Sequence, residues 1–182
     1  MNNQKVTPKY IFIGIVVVLF TWFIHEFAHW LTSELLGYKA FMRLNGVGTI
    51  NREKPAEIHQ AIISISGPII TILQAVIAFL LLKSKGWHKL LYLVLFTAFY
   101  MRFMAGIMNF MNPNDEARVG QYLGIGTHTL SLVVSIFLFT LVYIISKKYK
   151  LNWKFQLVTI LLVLIISWAI IFADQYFRIR II

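Results

Sequence analysis

The sequence has no cysteine, only four prolines, and little negative charge, with seven Asp and Glu against seventeen Lys and Arg. Without cysteine there are no disulfides and no thiolate metal ligands, and the redox compartment leaves no trace in the sequence. The scarcity of charge excludes more. Charged residues make up 13% of the 182 positions, where a soluble domain spends about 25%. What takes their place is apolar: 59% of the chain is hydrophobic and its mean hydropathy is +0.74. Such a composition cannot cover a water-facing surface, and the chain reads as an all-α integral membrane protein.

Apolar runs of roughly 18 residues or more mark spans, because about 20 residues at 1.5 Å rise cross the hydrocarbon core. Five are present, at about 10–31, 61–82, 90–111, 129–145 and 155–173. They fill most of 1–182, which is therefore expected to be a single transmembrane domain with any activity in or against the bilayer. The first run is longer than a signal-peptide core and is followed by Trp30, Leu31 and Thr32 rather than by small residues, so it is expected to be a retained span. The long connection between the first two spans carries Asn45-Gly46, a turn dipeptide that predicts a short β-hairpin. Such a hairpin could offer an edge strand to an extended peptide; an ordinary surface loop is the alternative.

The net charge of +10 does not point to nucleic acid, because the cations sit in short loops beside the spans. If the spans alternate, Lys5, Lys9, Lys83, Lys85, Lys89, Lys147, Lys148, Lys150 and Lys154 gather on one side with no acidic residue among them. The other side collects Lys39, Arg43, Arg52, Lys54, Arg118, Arg178 and Arg180, mixed with Glu34, Glu53, Glu57, Asp115, Glu116 and Asp174. The positive-inside rule then predicts a cytoplasmic N terminus.

Chemistry enters at His25-Glu26-Phe27-Ala28-His29, inside the first span. Helical positions i and i+4 lie about 40° apart around the axis, so His25 and His29 project from one face and can share one ion. Glu26 lies to one side, placed to act on a metal-bound water as general acid/base without ligating the metal. Zinc lowers the pKa of such a water to about 7, so that it can attack a carbonyl carbon at neutral pH. A pair of packing histidines beside a surface glutamate is the bland alternative. It is weakened by depth, because ionisable residues inside a span are costly.

A catalytic zinc needs a third protein ligand and an open position. Asp115, Glu116, His59, His128 and His88 are the candidates. The third span runs in the same direction as the first, so its C-terminal end and the segment through Asp115 and Glu116 arrive near the depth of the histidines. His88, at the start of that span, belongs on the opposite side. Asn112-Pro113-Asn114 breaks the helix and can swing the short Asp115 carboxylate back toward the bundle. His128, after Gly124-Ile125-Gly126, reads as an interfacial residue, and neither it nor His59 is expected to ligate.

These residues carry a resemblance. HEFAH in a membrane helix, Ser66-Gly67-Pro68 opening the second span and an Asn/Pro/Asp segment after the third together resemble the core of the site-2 protease family of intramembrane zinc metalloproteases, over roughly residues 20–120. The resemblance implies that His25, His29 and Asp115 bind Zn²⁺, that Glu26 is the catalytic acid/base, and that Asn109 hydrogen-bonds substrate backbone. Two departures stand out. Thr71 occupies a place where the family usually has Asn, and Asp115 stands in Asn114-Asp115-Glu116 rather than in Leu-Asp-Gly, which keeps Glu116 open as the third ligand.

Of the remaining residues, Gly67-Pro68 is read either as helix initiation or as close packing against the first helix. Arg102 lies inside the third span, where a cation is expected to pair with an acid or to face a wet cavity. Trp22, Trp30, Trp87, Trp153 and Trp168 read mostly as interface anchors. Three functions are then compatible with the sequence. The first is a zinc metalloendopeptidase cutting membrane-embedded or membrane-proximal polypeptides. The others are a catalytically silent relative that binds membrane proteins and a metal-handling or transport protein. Glu26 separates them, because a peptidase needs it and a metal carrier does not.

Overall fold

The computed structural model describes residues 3–50 and 53–182, so Arg52 lies outside the described residues. Five helices are long and apolar enough to cross a membrane: α1 (Pro8–Leu35), α2 (Glu57–Ser84), α3 (Lys89–Met108), α5 (Thr129–Lys148) and α6 (Trp153–Phe177). A short helix, α4 (Asp115–Tyr122), lies between α3 and α5, and strands β1 (Ala40–Arg43) and β2 (Gly46–Thr49) lie between α1 and α2. The protein is a multi-pass, all-α membrane protein with one small antiparallel hairpin.

Local chemistry starts the helices where the spans require them. At α1 the Thr7 hydroxyl accepts the Tyr10 amide at 3.2 Å and Pro8 occupies the first turn, where its missing N–H would have had no intrahelical partner. At α6 the side-chain Oδ1 of Asn152 accepts the Phe155 amide at 2.7 Å. The outward faces of the long helices are apolar and exposed, as at Phe12, Val16 and Phe20 on α1 or Leu132, Ile136 and Phe139 on α5. Lipid is the solvent those faces match.

Helix α3 sits at the centre, touching α1, α2, α5 and α6, while α4 packs on α2 and α5. Its Tyr92, Leu93, Leu95, Phe96 and Ala98 meet Val18 of α1, Ala75 and Ala78 of α2, Leu138 and Ile145 of α5, and Phe155 of α6. Because lipid tails are as apolar as these side chains, close packing and interhelical hydrogen bonds supply the cohesion. Tyr10 to Thr159 at 2.8 Å and Trp22 to Ser167 at 3.2 Å join α1 to α6, and Tyr92 to Ser146 at 3.2 Å joins α3 to α5.

Several expectations need correction. The first two spans are 28-residue helices rather than runs of about 22, because each continues into polar flanks. The third ends at Met108 rather than Met111, where the Asn112-Pro113-Asn114 turn begins to take over. Helix α2 starts ten residues ahead of Gly67, so Gly67-Pro68 does not initiate it; Pro68 stands inside the helix. The hairpin pairs Arg43 with Gly46, which puts its two-residue turn at Leu44-Asn45, one position before Asn45-Gly46. The other edge of β1 is also taken: Met42 donates to the Ile182 carbonyl at 3.1 Å and accepts from the Ile181 amide at 2.7 Å.

Candidate metal centre

His25 and His29 stand one turn apart on the face of α1 that meets α2. Both are buried, at 3% and 6% exposure. They fit there because position 67 has no side chain. A Cβ on Gly67 would lie 2.3 Å from His29 Nε2 and 2.6 Å from His25 Cε1, closer than real Cβ contacts allow. The packing reading of Gly67-Pro68 therefore holds.

Each imidazole is oriented by a partner on α2. His25 Nδ1 lies 2.9 Å from the Thr71 hydroxyl, which itself donates to the Gly67 carbonyl at 3.0 Å. That hydroxyl is left as an acceptor, so the proton between the two belongs to Nδ1. His29 Nδ1 donates to the Ile63 carbonyl at 2.6 Å. In both rings Nε2 is consequently the lone-pair nitrogen, and both Nε2 atoms point to the same place. Fixing the tautomer through the far nitrogen is what metal-binding histidines require.

The third member arrives from α4. Asn114 ends the turn after α3, its amide N–H donating to Asn109 Oδ1 at 2.9 Å, and its side-chain amide also binds the Ala105 carbonyl. Asp115 then opens α4, with its Oδ2 3.3 Å from His25 Nε2 and 3.3 Å from His29 Nε2, while the two Nε2 atoms are 3.1 Å apart. Tetrahedral donors at roughly 2.0–2.1 Å from an ion stand about 3.3–3.4 Å from one another. The His25, His29 and Asp115 group matches that triangle and could hold a metal ion.

Glu26 lies outside this group of ligand atoms. It lines a cavity of roughly 430 Å³ together with His25, His29, Asp115, Arg102, the hairpin residues Arg43, Asn45, Gly46 and Val47, and Trp168 of α6. It is buried at 6% exposure and makes no hydrogen bond or ion pair among the described residues. An unpartnered buried carboxylate facing a cavity is costly unless the cavity supplies its partner.

The other sequence candidates fall elsewhere. Glu116 is 1% exposed and accepts from Arg102 Nη1 at 3.0 Å, so it serves the cation inside α3 rather than joining the ligand group. Arg102 also reaches Asp115 Oδ2 at 3.5 Å and lines the cavity, meeting both the acid and the wet space expected of it. Asn109 donates to Ser131 Oγ at 2.7 Å and accepts from Asn114, and it does not line the cavity. His59 pairs with the Tyr38 hydroxyl at 2.8 Å, and His128 stacks on Phe110 with ring centroids 4.5 Å apart. His88 stands at the start of α3, where its side chain makes no capping hydrogen bond. Trp22 and Trp168, expected at the water–lipid interface, line the cavity instead.

Thr71 and the Ile63 carbonyl are the parts that sequence reasoning missed. Thr71 carries a signal all the same, since it stands four positions after Gly67 and so one turn along the same helix face. Comparison with protein-family models, with curated proteins and with solved structures found no match.

Proposed function

We propose that this chain is an intramembrane zinc metalloendopeptidase, similar to the site-2 protease family, which hydrolyses peptide bonds of membrane-embedded or membrane-proximal polypeptides. One observation carries the reading. Three ligand atoms form a triangle with 3.1–3.3 Å edges, and a buried carboxylate with no protein partner stands beside it in the same cavity. A site built only to store or pass a metal has no use for Glu26 outside its ligand set.

His25, His29 and Asp115 would hold the ion, offering it two neutral nitrogen donors and one carboxylate. A zinc ion there supplies Lewis acidity, polarising a carbonyl and making a coordinated water acidic near neutral pH. Glu26 takes the proton from the attacking water and passes it to the nitrogen of the leaving amine, so one carboxylate serves as base and then as acid. Thr71 and Ile63 keep the imidazoles from rotating while this happens. The hairpin residues Asn45, Gly46 and Val47 line the cavity and put extended backbone next to the place where a peptide has to lie. The lysine-rich end of the bundle is proposed to face the cytoplasm, with the N terminus.

Glu26→Gln tests the assignment. The amide keeps the side chain's shape but cannot take a proton. Cleavage should fall by about 10²–10⁴ while zinc content of the purified protein stays within twofold. Membrane proteomes of cells expressing either form would show which helices lose a terminus with the native chain alone. Undiminished cleavage by the variant would refute the role of Glu26. Absence of metal from the native protein would refute the site.

A further inference from the structure

We infer that Arg102, inside α3, is a catalytic residue that binds the carbonyl oxygen of the scissile peptide and the negative charge that develops on it. The inference rests on the peptidase reading and goes beyond it, because the resemblance assigns substrate hydrogen bonding to Asn109 and assigns Arg102 nothing.

The case is an accounting of donors. A guanidinium has five N–H groups and no acceptor. In Arg102, 3% exposed, Nη1 is occupied by Glu116 Oε1 at 3.0 Å and Asp115 Oδ2 at 3.5 Å. Among the described residues, Nη2 has one hydrogen-bonding neighbour, His25 Nε2 at 3.3 Å, and Nε has none. His25 Nδ1 carries that ring's proton, so the Nε2 lone pair is the one a metal ion takes. Once it is taken, Nη2 has no protein acceptor either. Nη2 and Nε are then buried, charged donors without an acceptor, on a side chain that lines the cavity beside the ligand atoms, a costly arrangement unless an oxygen arrives to accept them.

The oxygen that fits is the one that becomes more negative during the reaction. As the water oxygen bonds to the carbonyl carbon, the C=O π pair moves onto the carbonyl oxygen, and Glu26 holds the water's proton until the C–N bond breaks and the amine takes it. A fixed cation at that oxygen gains strength as the charge grows, and this is how such donors accelerate acyl transfer. Asn109 is not available for it, since its amide is spent on Ser131 and Asn114. Glu116 has the complementary task of holding the Nη1 edge of the fork, so that Nη2 and Nε face the cavity.

Purified protein loaded with Co²⁺, whose visible absorption reports its ligands, can be titrated with dimethylphosphinate, a tetrahedral anion shaped like a hydrated peptide carbonyl. Arg102→Met should weaken phosphinate binding by about 10- to 100-fold with Co²⁺ affinity changed less than threefold, and Arg102→Lys should recover only part of the loss. Because Arg102→Met leaves Glu116 buried and uncompensated, the paired variant Arg102→Met with Glu116→Gln is the folding-safe arm and should show the same weakening. Native-like phosphinate binding by the paired variant would overturn the inference while leaving the metal site intact. So would a Co²⁺ affinity that falls as far as phosphinate affinity does, or a cobalt-loaded native protein that ignores phosphinate. A native protein that takes up no Co²⁺ would instead sink the peptidase reading on which the inference stands.

Discussion

At one end of the bundle, where α1 and α6 begin, Phe155 packs with ring centroids 5.5–5.9 Å from Tyr10, Trp87 and Tyr92, and the Tyr149 ring lies tilted against Trp87 at 5.3 Å. At the other end, the buried His25, Glu26, His29 and Arg102 line a cavity with the part-buried Asp115, and Glu116 is buried against Arg102. The aromatic end is fringed by lysines, such as Lys89 donating to the Lys5 carbonyl and Lys148 to the Lys83 carbonyl. The acidic residues lie in the other half of the sequence's topology. The first end gains from shape and tolerates no hole. The second is charged, incompletely partnered and open to a ligand. Cohesion and chemistry have been separated along the membrane normal, and substitutions at the two ends should therefore fail in different measurements.

The largest stability effect should come from the aromatic end. Phe155→Ala removes a side chain 1% exposed and in contact with three rings, and should cost about 3–5 kcal/mol in unfolding experiments while zinc bound per folded molecule is unchanged. Loss of metal in step with stability would break the comparison. Next is Gly67→Ala, where the added Cβ meets both imidazoles; overpacking should cost about 1–3 kcal/mol, and metal content should fall steeply because the rings have to move. Retained zinc would show that the triangle does not depend on this close approach.

Smaller effects sharpen the contrast. Thr71→Val leaves the volume nearly intact but deprives His25 Nδ1 of its acceptor, so metal affinity should fall by about 10- to 100-fold with little change in the thermal midpoint of the metal-free protein. Tyr10→Phe, at the opposite end, removes only the 2.8 Å hydrogen bond to Thr159. It should cost about 0.5–1.5 kcal/mol and leave metal affinity untouched. A metal phenotype for Tyr10→Phe, or a large stability loss for Thr71→Val, would mean that the two ends are coupled.

Much of this division could be read before any coordinates. The five spans were visible because lipid demands long apolar runs, and that demand leaves few alternative readings. Helix ends were less visible, since helices run on into polar flanks; Glu57 and Lys83 lie within α2 but outside any apolar run. Helix α4 was not expected at all. DEARVGQY is eight residues and mostly polar, too short for a periodic apolar signal, although Asn114 followed by Asp115 and Glu116 is a helix-start signature that could have revealed it. At the site, His25, Glu26 and His29 could be placed because i and i+4 spacing fixes a face, and Asp115 because a turn returns it to the same depth. The partners could not. The Ile63 carbonyl and the Glu116–Arg102 pair depend on helix rotation and on α4, neither of which spacing along the chain specifies.

The covering of β1 on both edges has a consequence for how the molecule meets its own copies. An unpaired strand edge is a template that other chains can join, and proteins usually blunt it with charge, proline or a bulge. Here Ile181 and Ile182 satisfy the outward N–H and C=O of Met42 from within the same chain, while the Arg180 guanidinium sits 4.2 Å above the Phe41 ring. The hairpin's more apolar strand is thereby withheld from neighbouring molecules. Among the described residues, the edge left open belongs to β2, where Gly46 and Gly48 give a stacking partner little side chain to grip, and this lipid-bounded protein is protected from sheet-to-sheet polymerisation by the backbone of its own Ile181 and Ile182.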